Sequence, residues 1–184
     1  MREPIRVNSI DDVEFGPPTA AMTRPLLAVA RRIFADTFSL RYDPDAFEQF
    51  CDQAYAVDSP MARDLGDPDV DWQVAAVDAK PIGYAKLTPL RAPAPAPRLG
   101  SLELQQIYVE SDWHGTGVAE RLMLWAVERA MLRGAPQLFL TVFDHNHRAK
   151  RFYARHGFRE VGRCTFTLGA RVDDDRIWCK ELAG

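Results

Sequence analysis

The spacing of apolar residues in the first third of the chain predicts one short strand and two helices. Ile5 and Val7 alternate with polar neighbours up to Ser9, as expected for an opening strand. From about residue 19 to 38, and again from about 44 to 55, apolar residues recur every three or four positions, which predicts amphipathic helices. The inward face of the first helix is predicted to consist of Leu26, Val29, Ala30, Ile33, Phe34 and Thr37.

The middle of the chain predicts a hairpin followed by an irregular connection. Two β-rich runs at residues 72–77 and 81–88 are separated by a short polar break, which favours a β-hairpin. Between residues 89 and 98 proline alternates with alanine. Because proline donates no backbone hydrogen bond and fixes φ, we expect an extended, exposed connection there rather than a helix or a central strand.

The remainder of the chain alternates strands and helices around a glycine-rich turn. The predicted elements are strands at 102–109, 137–143, 161–168 and 176–181, and helices at 117–133 and 147–156. The run at 137–143 is apolar almost throughout, as expected for a strand that is covered on both faces. This mixed order predicts an α/β fold in which helices flank a mixed sheet.

Composition and charge narrow the class of protein. The 184 residues are 47% apolar and 27% charged, which suits one soluble domain. The net charge of −3 lacks the basic excess of nucleic-acid-binding proteins and mildly favours cationic partners. No apolar stretch is long enough to span a membrane and no signal peptide begins the chain, so we expect a cytoplasmic protein. Monomer and homodimer both remain open.

A glycine turn before the helix at 117–133 is the main candidate for ligand binding. Its sequence is His114-Gly115-Thr116-Gly117-Val118-Ala119. Glycines allow the backbone to approach a ligand closely, and the free N–H groups at a helix N-terminus attract anions. The turn would therefore suit a pyrophosphate. On this motif alone, a tight turn that binds nothing remains the alternative.

Two other phosphate-binding motifs do not match this turn. A Walker loop requires a lysine after its last glycine, and none is present. A dinucleotide-binding motif requires a third small residue where Glu120 stands, and an acidic partner about 20 residues further on.

Two motifs taken together resemble the GNAT N-acetyltransferases. The first is the strand at 102–109 with the turn at 114–119. The second is Asn146-His-Arg-Ala149-Lys-Arg-Phe152-Tyr153, which ends in Gly157-Phe158. The family carries [QR]-x-x-G-x-[GA] after its fourth strand and N-x-x-A-x-x-[FL]-Y-x-x-x-G-F later in the chain. His114 departs from the pattern, because the family prefers Gln or Arg there. The resemblance covers about residues 70–182.

The resemblance implies a GNAT fold, which has a mixed, mostly antiparallel sheet and a splayed fourth strand that receives the pantetheine arm of acetyl-CoA. In one domain over 1–184, residues 1–65 would supply the first strand and the acceptor-side helices, and residues 70–182 the catalytic core. The implied contacts to acetyl-CoA are Ile107, Tyr108 and Val109 for the arm and the thioester oxygen, His114, Gly115, Thr116, Gly117, Val118 and Ala119 for the pyrophosphate, and Asn146. No metal is expected, because His145 and His147 lack further ligands.

Two side chains are candidates for catalysis. In the resemblance Tyr153 would be the general acid, because a phenol with a pKa near 10 carries a proton for the leaving thiolate. An ordinary buried tyrosine is the alternative. Glu103 is a candidate base through water, since alternation would place it on the face of Ile107 and Val109, and a structural carboxylate is the equal alternative. Asp144 is a weaker candidate base.

Acidic residues in the first two helices favour a cationic acceptor. Between residues 33 and 60, one cation, Arg41, accompanies the carboxylates Asp36, Asp43, Asp45, Glu48, Asp52 and Asp58. In GNAT proteins these helices form one wall of the acceptor site, where Phe38, Tyr42 and Tyr55 would cover methylene groups. The alternative is that the carboxylates are only the solvated faces of amphipathic helices.

The resemblance also narrows the reaction. The stretches at 34–38, 45–55 and 167–178 look like the PaiA-type bacterial spermidine/spermine N-acetyltransferases. We therefore expect transfer of acetyl from acetyl-CoA to a small-molecule primary amine, with a polyamine as the candidate acceptor, by direct attack in a ternary complex. An amino acid, a peptide N-terminus or a drug amine remains open as the acceptor, and so does a non-catalytic acyl-CoA-binding module.

Overall fold

The computed structural model describes residues 8–182, which contain both helices and strands. The helices are α1 (Thr23–Phe38), α2 (Pro44–Ala54), α3 (Pro60–Asp64), α4 (Val118–Leu132) and α5 (His147–Arg155). The strands are β1 (Glu14–Gly16), β2 (Asp71–Val77), β3 (Lys80–Pro89), β4 (Leu102–Val109), β5 (Gln137–Phe143), β6 (Arg159–Leu168) and β7 (Arg171–Glu181). The opening strand predicted from residue 5 lies largely outside the described residues.

All of these strands form one sheet in the order β1-β2-β3-β4-β5-β7-β6. Every neighbouring pair is antiparallel except β4 and β5, which run parallel. These two strands pair only at Leu102 with Leu138 and at Glu103 with Phe139, and then separate. The prediction of a mixed, mostly antiparallel sheet with a splayed fourth strand is confirmed.

Helices cover both faces of the sheet, because successive side chains of a strand point to opposite faces. On one face, Ala85 and Leu87 of β3 belong to an apolar cluster with Leu122 of α4. On the other face, Tyr84 of β3 packs in a cluster with Leu26 of α1. The sheet is therefore the central layer of the core.

Most of the predicted boundaries agree with the structure. Strands β4 and β5 have the predicted limits, and the hairpin turns at Asp78 and Ala79, which both have positive φ. The sequence analysis does not predict α3, which is only five residues long and is capped by Ser59. Strand β7 begins at Arg171 rather than near 176, because pairing with β6 continues through the acidic run at 173–175.

A bulge in β4 interrupts the alternation of its side chains. Leu87 of β3 pairs with Leu104, whereas the preceding residue, Lys86, pairs with Gln106. Gln105 is therefore an extra residue on β4 without a partner on β3. From this point on, the side chains of β4 change phase relative to its first residues.

The bulge corrects one prediction about Glu103. Ile107 and Val109 pack into the cluster that contains α4. Glu103 pairs with Thr88, the neighbour of a residue in that cluster, and so lies on the opposite face of the sheet. The expectation that Glu103 shares a face with Ile107 and Val109 is wrong, since simple period-two counting does not allow for an inserted residue.

Candidate functional site

A cavity of about 1250 Å³ opens where β4 and β5 separate. The glycine turn and α5 line one half of the cavity, and α1 and α2 line the other. The predicted site residues that line it are Glu103, Ile107, Tyr108, Val109, His114, Gly115, Gly117, Ala119, Asn146 and Tyr153. The two remaining predicted site residues, Thr116 and Val118, do not line the cavity. Val118 is buried in the core, and the Thr116 hydroxyl donates to the Trp113 carbonyl at 2.8 Å.

Two peptide groups of β4 face the gap rather than β3. Residues in an antiparallel pair alternately bond to the partner strand and turn their N–H and C=O groups away from it. The N–H of Glu110 donates to the Ile82 carbonyl at 2.9 Å, which makes Val109 one of the residues that turn away. By the same alternation Ile107 turns away, whereas Tyr108 bonds to β3. This free edge fits an extended amide chain such as pantetheine.

The glycine turn presents peptide N–H groups at the start of α4. Gly115 and Gly117 have φ values of 83° and 97°, which L side chains rarely adopt. Helix α4 begins directly after Gly117 and has no side-chain cap. In this turn, the N–H groups of Gly115, Gly117, Val118, Ala119 and Glu120 have no acceptor among residues 8–182. Converging N–H groups at a helix N-terminus fit the pyrophosphate of coenzyme A.

His114 connects the end of β4 to α5. Its Nε2 lies 2.9 Å from the carbonyl oxygen of Val109, and its Nδ1 lies 2.7 Å from a guanidinium nitrogen of Arg148. Because arginine only donates, Nδ1 accepts, and Nε2 carries the proton that it donates to Val109. His114 thus acts here as a neutral bridge, a role that the sequence motif does not reveal.

Helix α5 places Asn146 and Tyr153 in the cavity. The side-chain oxygen of Asn146 caps the helix by accepting from the N–H of Ala149 at 3.1 Å. Burial of Tyr153, and secondarily the neighbouring Tyr108, raises its pKa well above the usual value. The phenol therefore keeps its proton at neutral pH, as a proton donor must. The same helix lines this half with the positive side chains of Arg148, Arg151 and Arg155.

Aromatic rings line the other half of the cavity. The ring of Phe34 lies 5.0 Å from that of Phe38 and 6.0 Å from that of Tyr55. Phe50 of α2 meets Phe166 of β6 edge-on at 5.7 Å. The aromatic residues predicted for the acceptor site, Phe38, Tyr42 and Tyr55, all line this half. Such a wall can cover the apolar stem of an amine.

The helix carboxylates contribute little to the cavity, as the alternative of solvated helix faces predicts. Among the six, Asp36 alone lines it. Glu48 and Asp52 bind Arg31 on the surface at 2.5 and 2.7 Å, and Asp43 caps α2. The spacing that turns the apolar side chains of these helices inward turns the carboxylates outward.

Other carboxylates line the half of the cavity next to α1 and α2, which we call the acceptor half, and two of them are paired with cations. Asp64 of α3 accepts two hydrogen bonds from Arg91, at 2.8 and 2.9 Å, and pairs with the buried Lys86. Asp173 of β7 accepts from the Tyr42 hydroxyl at 2.6 Å and binds two arginines. Burial alone would raise the pKa of each carboxyl, but these partners outweigh it and hold each pKa below its usual value.

Glu103 and Asp175 face the cavity without an ion-pair partner in residues 8–182. Glu103 is 4% exposed, and its carboxylate accepts the N–H groups of Arg91 and Ala92 at 2.8 Å each. It thereby anchors the start of the proline-rich connection, and its role as a base stays a prediction. Asp144, the weaker candidate, is bound by Arg176 and Lys150, which hold its pKa well below the usual value.

Asp173 and Asp175 are cavity residues that the sequence analysis does not predict. The available signal was the run at 173–175, in which alternate residues of a strand would face inward. An acidic run has a low strand propensity, so the strand was predicted to begin after it.

Two further classes of site find no support in the described part of the chain. His, Cys, Asp and Glu side chains there form no group of three or more that could hold a metal ion. Each helix in that part is too short or too polar to cross a membrane.

Comparisons with known proteins agree with this geometry. Residues 28–158 match the acetyltransferase (GNAT) family. An uncharacterised N-acetyltransferase of Mycobacterium tuberculosis is 34% identical over 157 residues, which cover 85% of this chain and 96% of that protein. One from Lactobacillus delbrueckii subsp. lactis is 29% identical over 156 residues, covering 85% of this chain and 90% of that protein.

Solved structures share the fold at low sequence identity. PaiA N-acetyltransferase from Thermoplasma acidophilum, in complex with coenzyme A, superimposes with a TM-score of 0.73 at 20% identity, covering 92% of this chain and 98% of that one. Ribosomal-protein-alanine N-acetyltransferase from Brucella melitensis superimposes with a TM-score of 0.65 at 23% identity, covering 92% of this chain and 99% of that one. With the family match over most of the chain, the splayed strand and the open helix N-terminus, the protein belongs to the GNAT family and is an acetyl-CoA-dependent N-acetyltransferase.

Proposed function

We propose that the protein acetylates a small primary amine, with a polyamine as the preferred acceptor, by direct attack in a ternary complex. The observation that carries this proposal is the charge division of one cavity. Arginines and open N–H groups line the half that suits coenzyme A, whereas aromatic rings and three carboxylates without an ion-pair partner among the described residues line the other. An ammonium group with a methylene stem fits the second half by charge and by apolar contact.

Several of the predicted site residues have a specific task in this proposal. Acetyl-CoA supplies the acetyl group as an activated thioester. The N–H groups of Ile107 and Val109 would hold the arm, and one of them would polarise the thioester carbonyl. Tyr153 would give its proton to the thiolate, and the N–H groups at 115–119, with Asn146 beside them, would fix the cofactor.

A thiol-release screen tests the proposal. The purified full chain is mixed with acetyl-CoA and with spermidine, spermine, diamines, free amino acids, a peptide with a free N-terminus, or an aminoglycoside. We expect the fastest thiol release with the polyamines. Turnover of the peptide or the aminoglycoside alone would reject the polyamine and leave the N-acetyltransferase in place.

A second measurement separates catalysis from binding. Calorimetric titration with coenzyme A should show binding whether or not an amine is turned over. Binding without turnover of any amine in the screen would instead favour the non-catalytic acyl-CoA-binding module.

A further inference from the structure

Asp175 lies where two cavities meet. A second cavity of about 500 Å³ adjoins the main one on the side of β6 and the proline-rich connection. The residues that line both cavities are Arg91, Glu103, Gln105, Thr141, Phe166 and Asp175. A group at this junction contacts the acceptor half and also has a route to solvent that avoids the coenzyme A side.

The position of Asp175 in the sheet fixes the face on which its carboxylate lies. Its Cα pairs with Phe143 of β5 on one side and with Cys164 of β6 on the other. By alternation along β7 its side chain shares a face with Asp173 and Ile177. This is the face that carries the acceptor half, so the carboxylate is aimed at the space where an amine would lie.

Asp175 is half-buried and has no hydrogen-bond or ion-pair partner among the described residues. Asp64 and Asp173, two other carboxylates of this half, are each held by cations. Glu103 is held by two backbone N–H groups. A carboxylate that is already bound by arginine is a poor base, because protonation would break those bonds. Asp175 lacks this obstacle.

The groups around Asp175 favour its protonated form. Burial, followed by the charges of Asp173 and Asp174, raises its pKa to about 6. The other titratable or charged groups that face it are Tyr108 and Glu103 from β4, Cys164 and Arg163 from β6, and Arg91 from the connection after β3. Asp175 also raises the pKa of Tyr108, after burial, to about 12, so its charge reaches the β4 side of the gap.

We propose that Asp175 is the general base that takes the proton from the acceptor ammonium, an inference that rests on the proposed acetyl transfer. The ammonium gives one proton to the carboxylate, which later releases it through the second cavity. The amine nitrogen then forms a bond to the acetyl carbon, and the carbon–sulfur bond breaks. Tyr153 gives its proton to the thiolate and regains one from the nitrogen, so one proton in total goes to solvent.

The pH profile of Asp175→Asn tests this role. In the native enzyme kcat/KM should rise through pH 6, as Asp175 ionises, and then stay level until the amine itself deprotonates near pH 10.4. Without the base, only free amine reacts, so log kcat/KM should rise one unit per pH unit. The loss should be about 10²–10³-fold at pH 7 and should shrink towards pH 10.

Two matched variants serve as controls. Asp174→Asn removes the same charge from the exposed neighbour and should keep the level region, with its acid limb moved to lower pH. Glu103→Gln should lower the rate by the same factor at every pH. An equal loss at all pH values in Asp175→Asn, or a pH-dependent loss in Glu103→Gln instead, would overturn the assignment.

A readout without substrate separates this inference from the proposed function. Carbon-detected NMR of the full chain should show the Asp175 carboxyl titrating near pH 6, and titration near pH 4 would count against it. If the native enzyme turns over no amine, the proposed function fails and the base role fails with it. If the native enzyme turns over an amine but Asp175→Asn keeps the level pH region, only the base role fails.

Discussion

The two halves of the cavity are built by different means. The coenzyme A half consists largely of backbone: the free edge of β4, and the open N–H groups of the glycine turn and of the start of α4. The acceptor half consists of side chains from α1, α2, α3 and several strands, including Asp64, Asp173 and Asp175. Backbone groups depend on local conformation, whereas the acceptor half depends on how distant elements pack. Motifs in the sequence therefore identify the first half much better than the second.

This division matches the different requirements of the two ligands. Coenzyme A always presents the same amide arm and pyrophosphate, which main-chain donors recognise without any particular side chain. An acceptor amine must be recognised by charge and shape, for which side chains are needed. Substitutions should therefore separate into two groups, one that alters coenzyme A binding and one that alters the acceptor or the chemistry.

The largest effect is expected at Tyr153, where the two halves meet. Tyr153→Phe should lower kcat by about 10²–10⁴-fold with an unchanged affinity for coenzyme A, because it removes the proton donor and keeps the packed ring. Tyr84→Phe is the control, since it deletes a fully buried hydroxyl that has no hydrogen-bond partner in the described residues. Steady-state kinetics and calorimetry measure both. A similar loss of kcat in the control would argue against a role in proton transfer.

A smaller effect, confined to the binding of acetyl-CoA, is expected from a substitution of Gly115. An added Cβ there meets no protein atom within 4 Å, but it would extend into the space in which the pyrophosphate is expected. Gly115→Ala should raise KM for acetyl-CoA roughly ten-fold or more, through loss of about 1.5–3 kcal/mol of hydrogen bonding to a charged group.

Gly134→Ala provides the matched comparison for Gly115→Ala. Gly134 follows α4, has φ of 70° and likewise has no atom within 4 Å of an added Cβ. Both variants should lose about 1–2 kcal/mol of stability from the left-handed backbone, seen as a lower Tm. KM for acetyl-CoA should change in Gly115→Ala alone, and an equal change in Gly134→Ala would mean that strain rather than contact is responsible.

The smallest effect is expected at the outer surface of α2. The double variant Glu48→Gln, Asp52→Asn removes carboxylates that bind Arg31 and are 66% and 70% exposed. KM for the amine should change less than about two-fold, because surface charges of this kind are screened and lie outside the cavity. A large rise in KM for the amine would instead indicate that the helix carboxylates bind the acceptor.

The sequence predicts the elements around the gap well, and the reasons are physical. The apolar runs of β4 and β5 are bounded by turn residues, so their limits could be predicted without knowledge of the fold. The bulge at Gln105 depends on how β4 pairs with β3, and pairing is not visible in one strand. Helix α3 is too short to show periodicity, although Ser59 followed by Pro60 is a usable start signal.

The side chains of the acceptor half are harder to predict from the sequence, because their positions depend on how distant elements pack. Helical spacing correctly turns Phe34 and Phe47 inward, but it leaves open whether the carboxylates of the same segments face the cavity or the solvent. Asp173 and Asp175 were missed because pairing with β6 holds an acidic run in a strand that its own propensity does not favour. Tertiary pairing, not local preference, determines which charges the amine would meet.

Where β4 separates from β5, the N–H groups of Ile107 and Val109 lie in the middle of a sheet without a partner strand, a place where proteins leave few such groups unsatisfied. If coenzyme A binds along this edge as proposed, the amide groups of its pantetheine arm supply the missing hydrogen-bond partners. The same contacts would hold the cofactor and stabilise the folded protein. Coenzyme A at a hundred times its Kd should therefore raise the free energy of unfolding by about 2.7 kcal/mol.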